Sequence, residues 1–231
     1  MRAEHDSYAI IEAALTAANT PAADAVFIST DQNISRFANS NLHQNMSEVS
    51  AELTLRVIVD DAMGVASTTS FESEEIARTA ELAREAARHA DPMQKFSGLY
   101  RGGEPMPALR TFHEEVVSIA PMEKARALRP MFDRGREHGA LFAGSFATSA
   151  SSVACGNTHG VRRYTTMTDS EGIVIALRGP ESGYATAISR GLVDIVALGE
   201  EAIWKATLAE ENVEDIEPGA FDVILAPPAI A

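Results

Sequence analysis

The sequence predicts an α+β fold arranged as two units, each ordered helix, antiparallel strands, helix. Three observations predict it. Strand-like runs are flanked by helical ones without regular β-α alternation. Val49, Ala51, Leu53, Leu55, Val57 and Val59 alternate with Glu48, Ser50, Glu52, Thr54 and Arg56, the period of a half-buried strand. Long Ala-rich segments place apolar residues at helical spacing.

Taken in order, residues 7 to 19 form the first helix. Ile10, Ile11, Ala14, Leu15 and Ala18 share one face, and Pro21 stops it. Residues 25 to 30 (AVFIST) read as a short buried strand, and 36 to 38 as a second. The alternating run 48 to 59 follows. Asp60 to Gly64 is a turn, and 65 to 70 returns as the partner strand. Ser73 suits an N-cap, with Glu74 and Glu75 in the first turn and Arg88 and His89 in the last. Residues 91 to 120 are rich in Gly and Pro and read as a connection.

A second long helix is expected over 121 to 137. Pro121 suits its start, and Pro130 should kink or split it. Residues 141 to 157 are small and hydroxyl-rich, and 157 to 160 form a turn. Residues 161–169, 172–179 and 183–190 read as three strands separated by Asp-Ser-Glu-Gly and Gly-Pro-Glu-Ser. A last helix spans 191 to 210 with Leu192, Ile195, Val196, Ile203 and Trp204 inward. Phe221 to Ala226 begins one more strand. The expected organisation is a first unit over 1–95, a connection over 96–120, a second unit over 121–217, and the start of a C-terminal domain at 218–231. The chain is expected to be the first part of a longer protein.

A chain of 231 residues buries about 70% of its unfolded surface, enough for a sizeable core. Its formal charge of −14 and lack of basic runs argue against direct contact with nucleic acid. Cys155 is the only cysteine, so no internal disulfide forms, and this fits a reducing compartment. No signal peptide is read at the N-terminus, and no stretch approaches the ~20 apolar residues of a membrane span. The expectation is a cytoplasmic protein.

No catalytic or metal-ligating residue is predicted. His113-Glu114-Glu115 starts like a zinc helix, but positions 117 and 118 are Val and Ser where a second imidazole is required. No G-x-S-x-G elbow, Walker loop or G-x-G-x-x-G occurs. Cys155 sits among small residues and reads as a buried thiol. Asp60-Asp61 and Glu200-Glu201 read as solvated pairs.

The informative stretch is 35 to 48, SRFANSNLHQNMSE. One reading is a hairpin connection in which Asn and Ser serve the turn and His43 faces solvent or caps a carbonyl. The other is a groove in which these amides hold a peptide backbone. GNTHGV at 156 to 161 has a similar character. The groove candidates are Asn39, His43, Gln44, Asn157 and His159.

These residues resemble the N-terminal region of the TldD/PmbA family. Arg36, Phe37, Ala38, Asn39, His43 and Gln44 match its FANN-x-x-H-Q stretch. Gly64, Ala66, Ser67 and Thr68 match its G-x-A-S-T hairpin. Asn157, Thr158, His159 and Gly160 match its N-S-x-G turn. The resemblance implies a cytosolic zinc metallopeptidase of a group also known as modulators of DNA gyrase. Such proteins act as homodimers, or as TldD–TldE heterodimers, on unfolded or small peptides. It implies zinc in a C-terminal domain beyond this chain and no cofactor within it, with this chain guiding substrate and building the dimer. The alternative is a non-catalytic partner of the PmbA or TldE type, an interaction module without peptidase activity. A direct effect on gyrase or DNA is a third reading, and the charge disfavours DNA contact.

Overall fold

The computed structural model describes residues 1–94, 96–104, 107, 109–211, 217–226 and 229–230. The first half runs α1 (Glu4–Ala18), β1 (Ala23–Ala38), β2 (Asn41–Val59), β3 (Ala62–Thr68) and α2 (Ser73–His89). A short α3 (Glu114–Ser118) interrupts the connection. The second half runs α4 (Pro121–Glu137), β4 (Leu141–Asn157), β5 (Arg162–Arg178), β6 (Glu181–Ser189) and α5 (Ile195–Glu211). The α+β expectation holds, with one refinement. The two halves share a single antiparallel sheet ordered β3-β2-β1-β4-β5-β6, joined where β1 pairs with β4.

The halves are structural copies. An offset of 119 residues carries the β1–β2 pair Ala23–Val57 onto the β4–β5 pair Phe142–Ala176. It also carries the β2–β3 pair Val57–Gly64 onto the β5–β6 pair Ala176–Gly183. The match extends to packing. A Cβ on Gly64 would lie 2.0 Å from the Ala83 carbonyl oxygen of α2, and one on Gly183 would lie 2.0 Å from the Ala202 carbonyl oxygen of α5. At both places a helix backbone rests directly on a strand, and only glycine leaves room. Because β1 and β4 are antiparallel neighbours, a local two-fold relates the halves.

Both halves cover the same sheet face. Odd-numbered residues of β1 point to it: Ala23, Ala25 and Phe27 into a core with α1 and α2, and Phe37 into a core with α4 and α5. Between the two cores this face is polar. Ser29, Ser35, Thr148, Ser152, Thr168 and Ser170 are all buried there. Among the described residues no helix lies over the opposite face, which exposes Ile28, Val65, Tyr184 and Ile188.

Several boundaries differ from expectation. β1 is one strand, not two pieces, because its polar middle faces the polar seam rather than a core. β2 starts at Asn41, so most of the amide-rich stretch is strand. The turn is only Asn39-Ser40, both with positive φ (49° and 55°). β5 runs unbroken through Asp169-Ser-Glu-Gly. Gly172 there lies against Leu198 and Ile195 and is a packing site, not a turn. α4 continues through Pro130. Ser73 is the first helical residue and makes no side-chain cap. Leu192 and Trp204 are exposed, not inward. Residues 221 to 226 are exposed and irregular, with no strand.

Several described residues of the connection are bonded to the sheet. Met93 N–H donates to the Asp61 carbonyl (2.8 Å), and the Tyr100 carbonyl accepts from Asn157 Nδ2 (2.7 Å). Glu104, Thr111 and His113 lie along β5, and in α3 Val116 is buried on the polar seam. No helix among the described residues is long and apolar enough to cross a membrane.

Candidate functional site

The five candidate residues fall at two opposite ends of the sheet. Asn39 lies at the β1–β2 tip, with His43 and Gln44 just beyond it on β2. Asn157 pairs with Asp24 near the start of β1, with His159 in the following turn. The 14 residues of β1 between these ends separate them by roughly 45 Å. The two groups are counterparts under the 119-residue repeat: each marks the first hairpin tip of its half.

Two of the five are engaged in building their turns. Asn39 supplies the left-handed backbone and a carbonyl that accepts from Asn41 Nδ2 (2.8 Å). The adjacent Ser40 is tied to β4 twice: its N–H donates to the Phe142 carbonyl (2.9 Å), and its Oγ accepts from Phe142 N–H (3.0 Å). Asn157 Oδ1 accepts from the backbone of His159 (3.0 Å) and Val161 (3.2 Å), closing an Asx-type turn. His159 Nδ1 is buried without a partner. His43 and Gln44 are exposed on β2.

The surroundings of His43 and Gln44 set this region apart. β3 ends where Thr68 pairs with Leu53, so among the described residues Asn41 to Glu52 has β1 on one side and no strand on the other. Nearly all of these side chains are exposed, and Val49 is 69% exposed. The stretch contains no Lys or Arg and carries Glu48 and Glu52. Its free backbone groups form a ready template for an incoming strand.

One buried group escaped sequence reasoning. Lys124, on the first turns of α4, is fully buried beside the polar seam. Its Nζ donates to the Asn33 carbonyl (2.8 Å) and to Asn33 Oδ1 (2.7 Å), and stands 5.6 Å from the Phe146 ring centre. Burial pushes its pKa down to about 8. A cavity of about 160 Å³ opens near by, lined by Asp31, Asn33, Val116 and Thr148. In PMEKARAL the lysine looks like any surface residue of a helix. Only the docking of α4 on β1 reveals it.

Other reactive groups are quiet. Burial pushes the Cys155 thiol up, which disfavours the thiolate. His113 Nδ1 sits 3.3 Å from Glu115 Oε1 at the edge of α3. Among the described residues no three His, Cys, Asp or Glu side chains are placed to hold a metal ion. The described residues therefore do not fit zinc.

Comparisons agree with this architecture. Residues 23–87 match the family model described as PmbA/TldA metallopeptidase domain 1. No curated protein matches the chain by sequence. Among solved structures, TldE from Thermococcus kodakarensis is 16% identical with a TM-score of 0.70. Two proteins named for modulation of DNA gyrase, from Thermotoga maritima and Bacteroides thetaiotaomicron, are also 16% identical, with TM-scores of 0.69 and 0.74. Each comparison covers 87% of this chain and 47%, 47% and 49% of the other chain respectively. The chain thus spans about half the length of these structures.

Proposed function

We infer the function from one premise: residues 23–87 are a first domain of the TldD/PmbA family, so this chain carries the N-terminal part of such a protein. On that footing the chain guides substrate and builds the dimer of a cytoplasmic metallopeptidase acting on unfolded or small peptides. The dimer is with a second copy or with a paralogue. The zinc and its ligands belong to polypeptide outside this chain.

The observation that carries this reading is the unpaired outer edge of β2 from Asn41 to Glu52. An extended peptide that adds to a sheet edge is held through main-chain hydrogen bonds and is read only loosely by sequence. That is the recognition a peptidase of unfolded chains requires. His43 and Gln44 lie on this edge. Asn39 shapes the turn that starts it. Asn157 and His159 shape the equivalent tip of the other half.

The test is titration of a labelled unfolded peptide against this chain, alone and mixed with a zinc-bearing TldD-type protein. Binding in either setting is expected, with chelator-sensitive cleavage only in the second. No binding at millimolar peptide in both settings refutes the reading. Binding without cleavage in both makes the chain an interaction module with no part in a peptidase.

A further inference from the structure

Of the buried hydroxyls on the polar seam, four are bonded within the protein. Ser35 Oγ donates to Asn45 Oδ1 (2.8 Å), and Ser152 Oγ accepts from Arg2 N–H (3.3 Å). Thr168 Oγ1 donates to the Arg190 carbonyl (2.7 Å), and Ser170 Oγ donates to the Gly191 carbonyl (2.6 Å). The other two, Ser29 and Thr148, are equivalents under the 119-residue repeat. They are 2% and 5% exposed, and neither hydroxyl meets a partner among the described residues. Each lines a cavity instead. Ser29 shares one with Met1 and Arg2, and Thr148 lines the one of about 160 Å³ beneath α3.

The Thr148 cavity carries both signs of charge. Asn33 pairs directly with Thr148 across the β1–β4 ladder, and Asp31 lies two residues along on the same face. Lys124 can only donate, so it fixes the Asn33 amide with Oδ1 towards it (2.7 Å). Asn33 Nδ2, with two hydrogens and no partner among the described residues, is turned away from the lysine. One end of the cavity therefore offers an amide N–H and a hydroxyl backed by a buried ammonium. The other end offers the Asp31 carboxylate, roughly 7 Å along the strand. Asp31 has no ion pair among the described residues. Val116 and Ile119 form an apolar wall, with Val117 at the rim.

A simple anion would be drawn to the first end and opposed by Asp31. A simple cation would be held by Asp31 and opposed by Lys124. A small molecule with a carboxylate and an ammonium on one carbon satisfies both ends. The cavity holds the liquid volume of about five waters at ~30 Å³ each, room for about six to eight non-hydrogen atoms. That is the size of a small aliphatic amino acid. We propose that the cavity beneath α3 binds a free aliphatic α-amino acid as its zwitterion. Its carboxylate accepts from Asn33 Nδ2 and Thr148 Oγ1, its ammonium donates to Asp31, and its side chain lies on Val116 and Ile119. The site lies over β1 and β4, not at the outer edge of β2, and does not depend on the peptide reading above.

The probe is L-valine, titrated into the full chain and followed by calorimetry and methyl NMR. Saturable binding is expected, with shifts concentrated at Val116, Ile119 and Thr148. Two analogues dissect it: 3-methylbutanoate lacks the ammonium, and isobutylamine lacks the carboxylate. Each is expected to bind at least tenfold more weakly. Thr148→Val keeps the shape without the hydroxyl and is expected to weaken L-valine binding several-fold. Asp31→Asn is expected to weaken L-valine tenfold or more while leaving 3-methylbutanoate as tight or tighter, a crossover that a distorted cavity does not produce. Ser29→Ala, at the equivalent hydroxyl of the first half, should leave L-valine binding unchanged. Circular dichroism checks that the variants fold, and the analogues need no change in the protein. No saturable L-valine binding at millimolar concentration overturns the proposal, as does equal affinity for L-valine and 3-methylbutanoate. Unaltered binding in both Thr148→Val and Asp31→Asn would put the ligand elsewhere and overturn it too.

Discussion

The two halves share their hairpin registers and their glycine contacts but fill their cores differently. The first is built largely from alanines, with Ala14, Ala18, Ala80, Ala83 and Ala87 around Ile11, Phe27, Leu53 and Leu55. The second gathers Phe37, Phe132, Phe142 and Phe146 around Leu128 and Met131. The comparison separates what fixes the architecture from what merely fills it. Backbone geometry at the strand–helix contact is kept, and side-chain volume is traded between helix and strand.

The largest test of that comparison uses Phe27 and Phe146, which occupy equivalent positions on β1 and β4. Both are buried, at 0% and 2% exposure. Phe27→Ala and Phe146→Ala are each expected to cost about 3–5 kcal/mol in denaturant unfolding. Phe146→Ala should be the worse, since it also bares the Lys124 ammonium. Equal losses would show that the lysine contributes nothing to the difference.

Next in size is Lys124 itself, whose equivalent in the first half is the exposed His5. Its folded pKa, about 8, lies below the ordinary 10.5. The unfolded chain therefore binds more protons between those values, and stability rises with pH there. Below pH 8 the burial cost is fully present; above 10.5 it is gone. That span corresponds to roughly 3 kcal/mol. Urea unfolding of the chain and of Lys124→Met at pH 8, 9 and 10 should show the wild type gaining on the variant. Parallel pH curves would place the ammonium in water.

Gly64→Ala and Gly183→Ala should each cost about 1–3 kcal/mol, since the new methyl meets helix backbone at 2.0 Å. Similar losses in the two halves would confirm that the contact is one structural device used twice. The smallest effect is expected from Glu12→Gln. Arg162 hydrogen-bonds the Glu12 carboxylate and holds its pKa below the usual range. The pair's contribution is present above that usual range and is lost as pH falls through the lowered value. It joins α1 to β5 at a largely exposed site, so about 0.5 kcal/mol or less is at stake. Acid unfolding curves of wild type and variant should converge at the low end.

Much of this was readable from the residues. The alternation at 48 to 59 gives the face of β2 that enters the core from Leu53 onward, while Val49 stays exposed, and 73 to 89 gives α2 its full extent. Sequence periodicity fails where burial is polar. The middle of β1, Thr30 to Asn33, has no apolar alternation because its inward positions meet serines, threonines and α3 rather than a hydrophobic core. The same cause hid the continuity of β5, where Asp169-Ser-Glu-Gly looks like a turn. The repeat was visible as element order, but its register needed the strand pairs, since the matched cores differ in residue size. Among the site candidates, Asn39 and Asn157 were found by their turn chemistry, and that chemistry is what they perform. The vacancy beside β2 was not readable, because nothing in 41 to 52 says how soon β3 will stop.

The β1–β4 junction has a consequence for synthesis. Thr30 and Ser151 meet across it from 121 residues apart. A ribosome adding about 5–20 residues per second needs on the order of ten seconds to deliver β4 after β1 has emerged. Through that interval the nascent first half must live with one long flank of β1 unpaired. The Thr-Asp-Gln-Asn run at its centre, which costs the finished protein an apolar core there, is what keeps that flank from seizing a neighbouring chain.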